Sequence, residues 1–312
     1  MKKIFVSLLI SLCAVSFAFA QDLEKATELY NNAATMYNDG DKAGALDMFQ
    51  KALDMATAIG DDGIEVANNC KNLIPGIILS LGKEAVQAKE MDKAVETLKK
   101  AIEKAKEFGN ADVEAEAASL IPDIMMAKAG SLLNAKDFAG AAAAYKEVVA
   151  ADPENAMAYL RMGMALNGAG QTDEAVEALT AAAAKGQESA AGKQLSNIFL
   201  KKAVACQKAK DMKGVLENAQ KSAEYLDNAN AQKLIGTSAL SLKQNKVAAD
   251  AFEAYLALSP NAKDKVQTIY QLGTALVALG DNAKACGYFK EIAQDAQWGE
   301  AARYQITTLK CN

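Results

Sequence analysis

The chain has 312 residues, 51% of them apolar and 23% charged, and a formal net charge of −5. It contains no histidine, which excludes histidine acid–base catalysis, Ser-His-Asp and Cys-His nucleophile systems and most mixed zinc sites. No stretch is strongly basic, and nucleic-acid binding, which needs clustered Lys and Arg against phosphates, is set aside with them.

In chain order, the first element is MKKIFVSLLISLCAVSFAFA, residues 1–20. Lys2 and Lys3 precede an apolar run that ends in the small-x-small site Ala18-Phe19-Ala20, the pattern of a secretory signal peptide. The run, about fourteen residues, is short of the ~20 that a bilayer-spanning helix needs. Leu12 stands before Cys13 where a lipoprotein signal has a small residue. The expected mature chain begins at Gln21, carries a net charge of −7, and is exported to the periplasm or held at the outer membrane. Its four cysteines, Cys70, Cys206, Cys286 and Cys311, form no CxxC pair. Cys286 and Cys311 come within bonding reach if the last two helices pack antiparallel, and an oxidising compartment permits the bond. Four cysteines also allow other pairings, and buried free thiols are common.

Beyond residue 20, four prolines in all, abundant Ala, Leu, Lys and Glu, and no strand signals predict helix throughout. One pattern returns seven times: NDGDKAGALDMFQKAL, KEMDKAVETLKKAI, AKDFAGAAAAYKEVV, GQTDEAVEALTAAA, AKDMKGVLENAQKSA, NKVAADAFEAYLAL and GDNAKACGYFKEIA. Ala45, Phe49 and Ala52 share one helical face, as do Ala94, Leu98 and Ala101; Ala141, Tyr145 and Val148; Ala175, Leu179 and Ala182; and Ala285, Phe289 and Ile292. Each such helix follows another with a small residue near its middle, at Ala33, Gly82, Ala129, Gly163, Ala203, Gly236 and Gly273. Glycine costs a helix ~1 kcal/mol relative to alanine, so its recurrence there argues for close helix packing. LIP occurs at residues 73–75 and 120–122, where the proline starts or kinks a lengthened helix. AQWGEAARYQITTLK, residues 296–310, has no partner helix and is expected to cap the array.

Three loop-like stretches have alternative readings. GMALNGAGQTDEA, residues 163–175, resembles a phosphate loop, but Ala169 and Gly170 follow Gly168 where Lys and Ser or Thr are needed. Instead Gly163 belongs inside a helix, Gly168 and Gly170 end it, and Thr172 or Asp173 caps the next. NDGD and GDDG lack the alternating oxygen ligands and distal Glu of a calcium loop. Residues 91–107 are highly charged, with acids and lysines at helical spacing, and read as a solvated helix face.

The repeats resemble the tetratricopeptide repeat, a helix–turn–helix unit. In AMAYLRMGMALNGAGQTDEAVEALTAAAAK the matching residues are Tyr159, Gly163, Ala175, Leu179 and Ala182, and Asp152-Pro153 and Ser259-Pro260 match the proline that closes a unit. The likeness covers roughly residues 23–295. Its spacing departs from the family pattern early, because Ala45, Ala94 and Ala141 stand farther apart than Ala141 and Ala175. The resemblance implies an all-α, right-handed superhelical solenoid of about seven repeats and about fifteen helices. Extended repeats are expected over residues 21–152, regular ones over 153–295, and a capping helix over 296–312.

The resemblance further implies a scaffold that binds a partner protein or peptide on a concave face built from the first helices, without cofactor, metal or catalysis. Projection of those helices turns Tyr30, Tyr37, Met126, Leu133, Met157 and Leu160 inward. Met164, Leu200 and Val204 follow, with Asn134, Arg161, Asn167, Lys201 and Lys208 as the polar members. The methionines serve either as core filler or as an adaptable apolar lining. The Lys/Asn/Arg clamp of the chaperone-binding branch is missing across neighbouring first helices. A glycan-binding accessory protein is the alternative, weakened by a single tryptophan placed at the cap. Paired-carboxylate catalysis is weaker still, because the acids sit at turns and on exposed helix faces.

Overall fold

The computed structural model describes residues 21–311; the expected signal peptide lies outside the described residues. Among them are helices and turns and no strand. Helix α1 is described over residues 21–38. It is followed by α2 (Lys42–Ile59), α3 (Ile64–Gln87), α4 (Met91–Phe108), α5 (Ala111–Asn134), α6 (Phe138–Ala151), α7 (Ala156–Gly168) and α8 (Thr172–Ala182). Then come α9 (Glu188–Lys208), α10 (Met212–Tyr225), α11 (Ala229–Ser241), α12 (Asn245–Leu258), α13 (Lys265–Ala278), α14 (Asn282–Glu291) and α15 (Gly299–Thr308). None of the described helices is long and apolar enough to cross a membrane.

The chain divides into two compact units, one running through Ala135 and adding Ala150–Pro153, the other comprising Lys136–Val149 and the residues from Glu154. A division at 152/153 places α6 with the first half, whereas packing groups Lys136–Val149 with the second. One reason is local: Phe138 lies against Gly168 so closely that a Cβ there would meet its ring at 2.5 Å. In the first unit α2 packs on α3, α3 on α4 and α4 on α5; in the second, sequence neighbours from α7 to α15 pack in the same consecutive way. First helices also touch one another, α3 with α5, α7 with α9 and α9 with α11.

The apolar faces read from spacing are the core. All fifteen residues of those five faces, from Ala45 to Ile292, are at most 3% exposed. A buried Leu or Phe contributes roughly 2 kcal/mol, so each second helix is held mainly by this stripe. In four repeats a glycine of the first helix faces a large residue of the second, sixteen positions on, whereas in the α9–α10 pair the residue sixteen after Ala203 is Ala219. A Cβ on Gly82 would lie 2.8 Å from Leu98, on Gly163 2.6 Å from Leu179, on Gly236 2.6 Å from Phe252 and on Gly273 2.6 Å from Phe289. The same spacing separates Ala33 from Phe49 and Ala129 from Tyr145. Tyr145, alone among these, carries a hydroxyl, which is buried without a hydrogen-bond partner.

The turns are equally regular. The residue before each second helix's N-cap has positive φ: Gly40, Lys89, Lys136, Gly170, Lys210, Lys243 and Gly280. At Gly170 φ is +83°, and the missing side chain makes this free of steric cost. Gly168, by contrast, stays helical, and the space Phe138 takes is what requires glycine there. Asp41, Asp137, Asp211 and Asp281 then accept a hydrogen bond from the backbone N–H three residues on. The cap expected at Thr172 or Asp173 falls instead at Gln171, whose side chain makes no cap hydrogen bond but reaches Glu174 at 2.9 Å. The left-handed residue one step earlier sets that position.

Pro75 and Pro122 lie inside α3 and α5, each an unbroken 24-residue helix. These long first helices account for the wide early spacing. At the other end, Trp298 packs on Tyr270 with ring centroids 5.0 Å apart, Arg303 donates to the Ala293 carbonyl, and a disulfide joins Cys286 to Cys311. Cys70 is a buried free thiol, and its pKa is pushed up to about 11 by burial.

Two glycines of one repeat respond oppositely to alanine. Gly273→Ala drives a methyl into the Phe289 ring and is expected to destabilise by about 1–3 kcal/mol, even after the ~1 kcal/mol gain in helix propensity. Gly287→Ala, with nothing within 4 Å, is expected to stabilise by about 1 kcal/mol. Urea unfolding of the two variants checks the opposite signs.

Candidate functional site

Three first helices of the second unit, α7, α9 and α11, touch in succession, so their outward sides form one surface. The small residue that faces the second helix fixes which positions turn away from it. On α7 these are Met157, Arg161 and Met164; on α9 they are Lys201, Val204 and Lys208. Met157, Met164 and Val204 are 37–38% exposed, high for large apolar side chains. Between α9 and α11 lies a cavity of about 320 Å³ lined by Leu200, Val204, Gln207, Asn230, Lys233, Leu234 and Thr237.

The expected groove residues are divided between the units. Tyr37, Met126, Leu133 and Asn134 belong to the first, where Tyr37 and Asn134 are exposed and Met126 and Leu133 half-buried. Met157, Leu160, Arg161, Met164, Asn167, Lys201 and Lys208 belong to the second. Leu160 is a correction: it is 7% exposed and belongs to the packed interior. Three residues before Gly163, it lies on the flank turned toward neighbouring helices rather than outward. Asn167 is half-buried. Tyr30 is turned onto Phe49, with ring centroids 5.3 Å apart.

The α11 residues of the cavity were not among those expected. Gly236 holds the clue, because Lys233, Leu234 and Thr237 stand at the same offsets from it as Leu200, Lys201 and Val204 do from Ala203. A register anchored on the small residue finds them; a search for methionine and aromatic side chains does not.

Fixed ion pairs frame this face. Lys202 reaches Asp173 at 2.8 Å and holds its carboxyl below the usual range. Lys233 pairs with Asp264, which also accepts a 2.6 Å hydrogen bond from the Tyr255 hydroxyl. Burial acts to raise the Asp264 pKa, but the bonds from Lys233 and Tyr255 outweigh it and hold the group below its ordinary value. Tyr255 is pushed up to about 12, first by burial and then by Asp264. A second cavity of about 580 Å³, between α6, α7 and α8, is lined by Ala142, Tyr159, Met162, Leu166 and Ala178 and rimmed by Lys146, Glu174 and Glu177. Among the described residues no cluster of three or more His, Cys, Asp or Glu is placed to hold a metal ion.

The Tyr255 arrangement has a pH consequence. Its folded pKa stands above the unfolded value near 10, so its contribution to stability is complete below that pH and is lost as pH rises toward about 12. Tyr255→Phe is expected to flatten the fall in stability over that window, read by thermal unfolding from pH 8 upward; an unchanged slope contradicts the assignment.

Residues 132–197 and 267–296 each match a tetratricopeptide repeat family profile. The comparison with curated protein sequences gives no match. Similar solved structures include a MamA protein, 19% identical over 61% of this chain and 96% of that one, with a TM-score of 0.35. Another is YrrB, described as a TPR protein with an unusual peptide-binding site, 18% identical over 58% of this chain and 91% of that one, TM-score 0.33. A third is a thermophilic TPR protein of Thermus thermophilus, 12% identical over 61% of this chain and 100% of that one, TM-score 0.27. Superposition at this level bears on neither shape nor ligand, and the family rests on the two matched segments and on the helix pairs joined by one recurring turn. The chain carries tetratricopeptide repeats at residues 132–197 and 267–296.

Proposed function

We propose that the chain is a non-catalytic interaction scaffold that holds a partner protein or peptide on the first-helix face of its repeats, and that it works in the bacterial envelope after export. The observation that carries the binding reading is the exposed apolar surface of Met157, Met164 and Val204 beside the α9–α11 cavity. Packing does not require these side chains to be large and apolar, because Gly163 against Leu179 in α7 and the buried Leu195, Ile198 and Ala203 in α9 already supply the core contacts of their helices. The leader at residues 1–20 and the Cys286–Cys311 bond support export. Trp298 packs on Tyr270 at the cap, which favours a protein ligand over a glycan platform.

The test uses the native protein recovered from envelope fractions, whose mass should correspond to a chain beginning at Gln21. Wild type and the Met164→Glu/Val204→Glu variant serve as bait in envelope extract. The variant is expected to remain helical with an unchanged melting curve and to lose a protein that wild type retains, while Lys213→Glu on α10 retains it. A folded variant that captures everything wild type does overturns the groove assignment, and a native mass that includes residues 1–20 overturns export.

A further inference from the structure

The partner's chemistry is written in a charge asymmetry. The chain is net acidic, yet helices α7, α9, α11 and α13 of the second unit carry seven cations and one acid, Glu188. The first helices of the other unit, α1, α3 and α5, carry four cations and nine acids. Three of the seven cations are spent on structure: Lys202 pairs with Asp173, Lys233 with Asp264 and Lys265 with Glu291. Arg161, Lys201 and Lys208 are exposed and make no ion pair among the described residues. They stand beside Met164 and Val204 on a face whose helices offer them no acid within reach of a turn. Unpaired cations on the face that also holds the α9–α11 cavity, in a protein whose remaining surface is acidic, complement a negatively charged ligand and repel one of the opposite sign.

We propose that this face takes an extended acidic segment of the partner protein, with carboxylates on Arg161, Lys201 and Lys208 and one apolar side chain seated between Leu200, Val204 and Leu234. The assignment rests on the scaffold reading above and adds the class of ligand. Arg161 supplies a planar fork suited to two carboxylate oxygens, and the lysines act as point charges along the segment. The apolar anchor sets the segment's position, while the charges speed encounter and exclude basic competitors.

The probe is a short end-blocked peptide of glutamates interrupted by leucines, compared with the same peptide carrying glutamine for every glutamate, by fluorescence anisotropy on the intact protein. The glutamate peptide is expected to bind at least about tenfold more tightly at low salt, with the gap narrowing as salt rises. Arg161→Glu/Lys201→Glu/Lys208→Glu is expected to erase the preference. Lys99→Glu/Lys146→Glu/Lys213→Glu, which changes net charge equally on second helices, is expected to keep it. Equal binding of the two peptides, or equal loss in both triple variants, overturns the proposal. If the preference is missing while Met164→Glu/Val204→Glu still loses its captured partner, the acidic ligand falls and the groove stands. If that variant also captures as wild type does, both fall.

Discussion

The structure depends on one close approach, made in four of the repeats: a glycine in the first helix pressed against a large side chain sixteen positions later in the second. At Gly82, Gly163, Gly236 and Gly273 there is no room for a methyl group without displacing Leu98, Leu179, Phe252 or Phe289. The constant separation follows because the turn between the helices never changes length. In that turn one residue is always left-handed, and glycine or lysine fills it. Lysine at positive φ costs on the order of 1 kcal/mol, which the packing of two apolar stripes outweighs. Helix contact and turn conformation therefore specify each other, and the array tolerates first helices of very different length.

Much of this could be read from the sequence, and for a physical reason. A small–large–small stripe at helical spacing has few uses other than close helix packing, and Ala45, Leu98, Tyr145, Leu179 and Phe289 are all buried as their spacing requires. What escaped was decided by geometry one step removed from spacing. Thr172 and Asp173 have good capping chemistry, but the left-handed Gly170 puts the cap at Gln171. Leu160 lies on the same helix as Met157 and Met164, yet a difference of a few tens of degrees around the axis buries it. The α11 side of the cavity was missed because Asn230, Lys233 and Thr237 are ordinary polar residues, conspicuous only in the register that Gly236 sets.

The same regular frame explains how the candidate site is supported. The outward positions of the first helices carry little of the core packing, Leu234 excepted, so their residue types are free to serve a ligand. In the second unit they hold exposed methionine and valine with unpaired cations. In the first unit the first helices as a whole carry a surplus of acids. The polar groups that do bear structure are recognisable by their fixed partners, such as Lys233 with Asp264 and Tyr255, or Ser222 with Ser196 across α9 and α10 at 3.0 Å. Mutually bonded groups of this kind, buried at Ser196 and Ser222 and half-buried at Lys233 and Asp264, hold register. Exposed groups without partners are the ones available for binding.

The central claim is that contact between a glycine and the large residue sixteen positions on holds the four glycine-bearing repeats closed. A double-mutant cycle on Gly236 and Phe252 measures it directly, with Gly236→Ala, Phe252→Leu and the combined variant compared by urea unfolding. The account predicts a coupling of about 1–3 kcal/mol, because the smaller, more flexible Leu yields the space that the new methyl needs. Additive effects, with no coupling beyond about 0.3 kcal/mol, would contradict it.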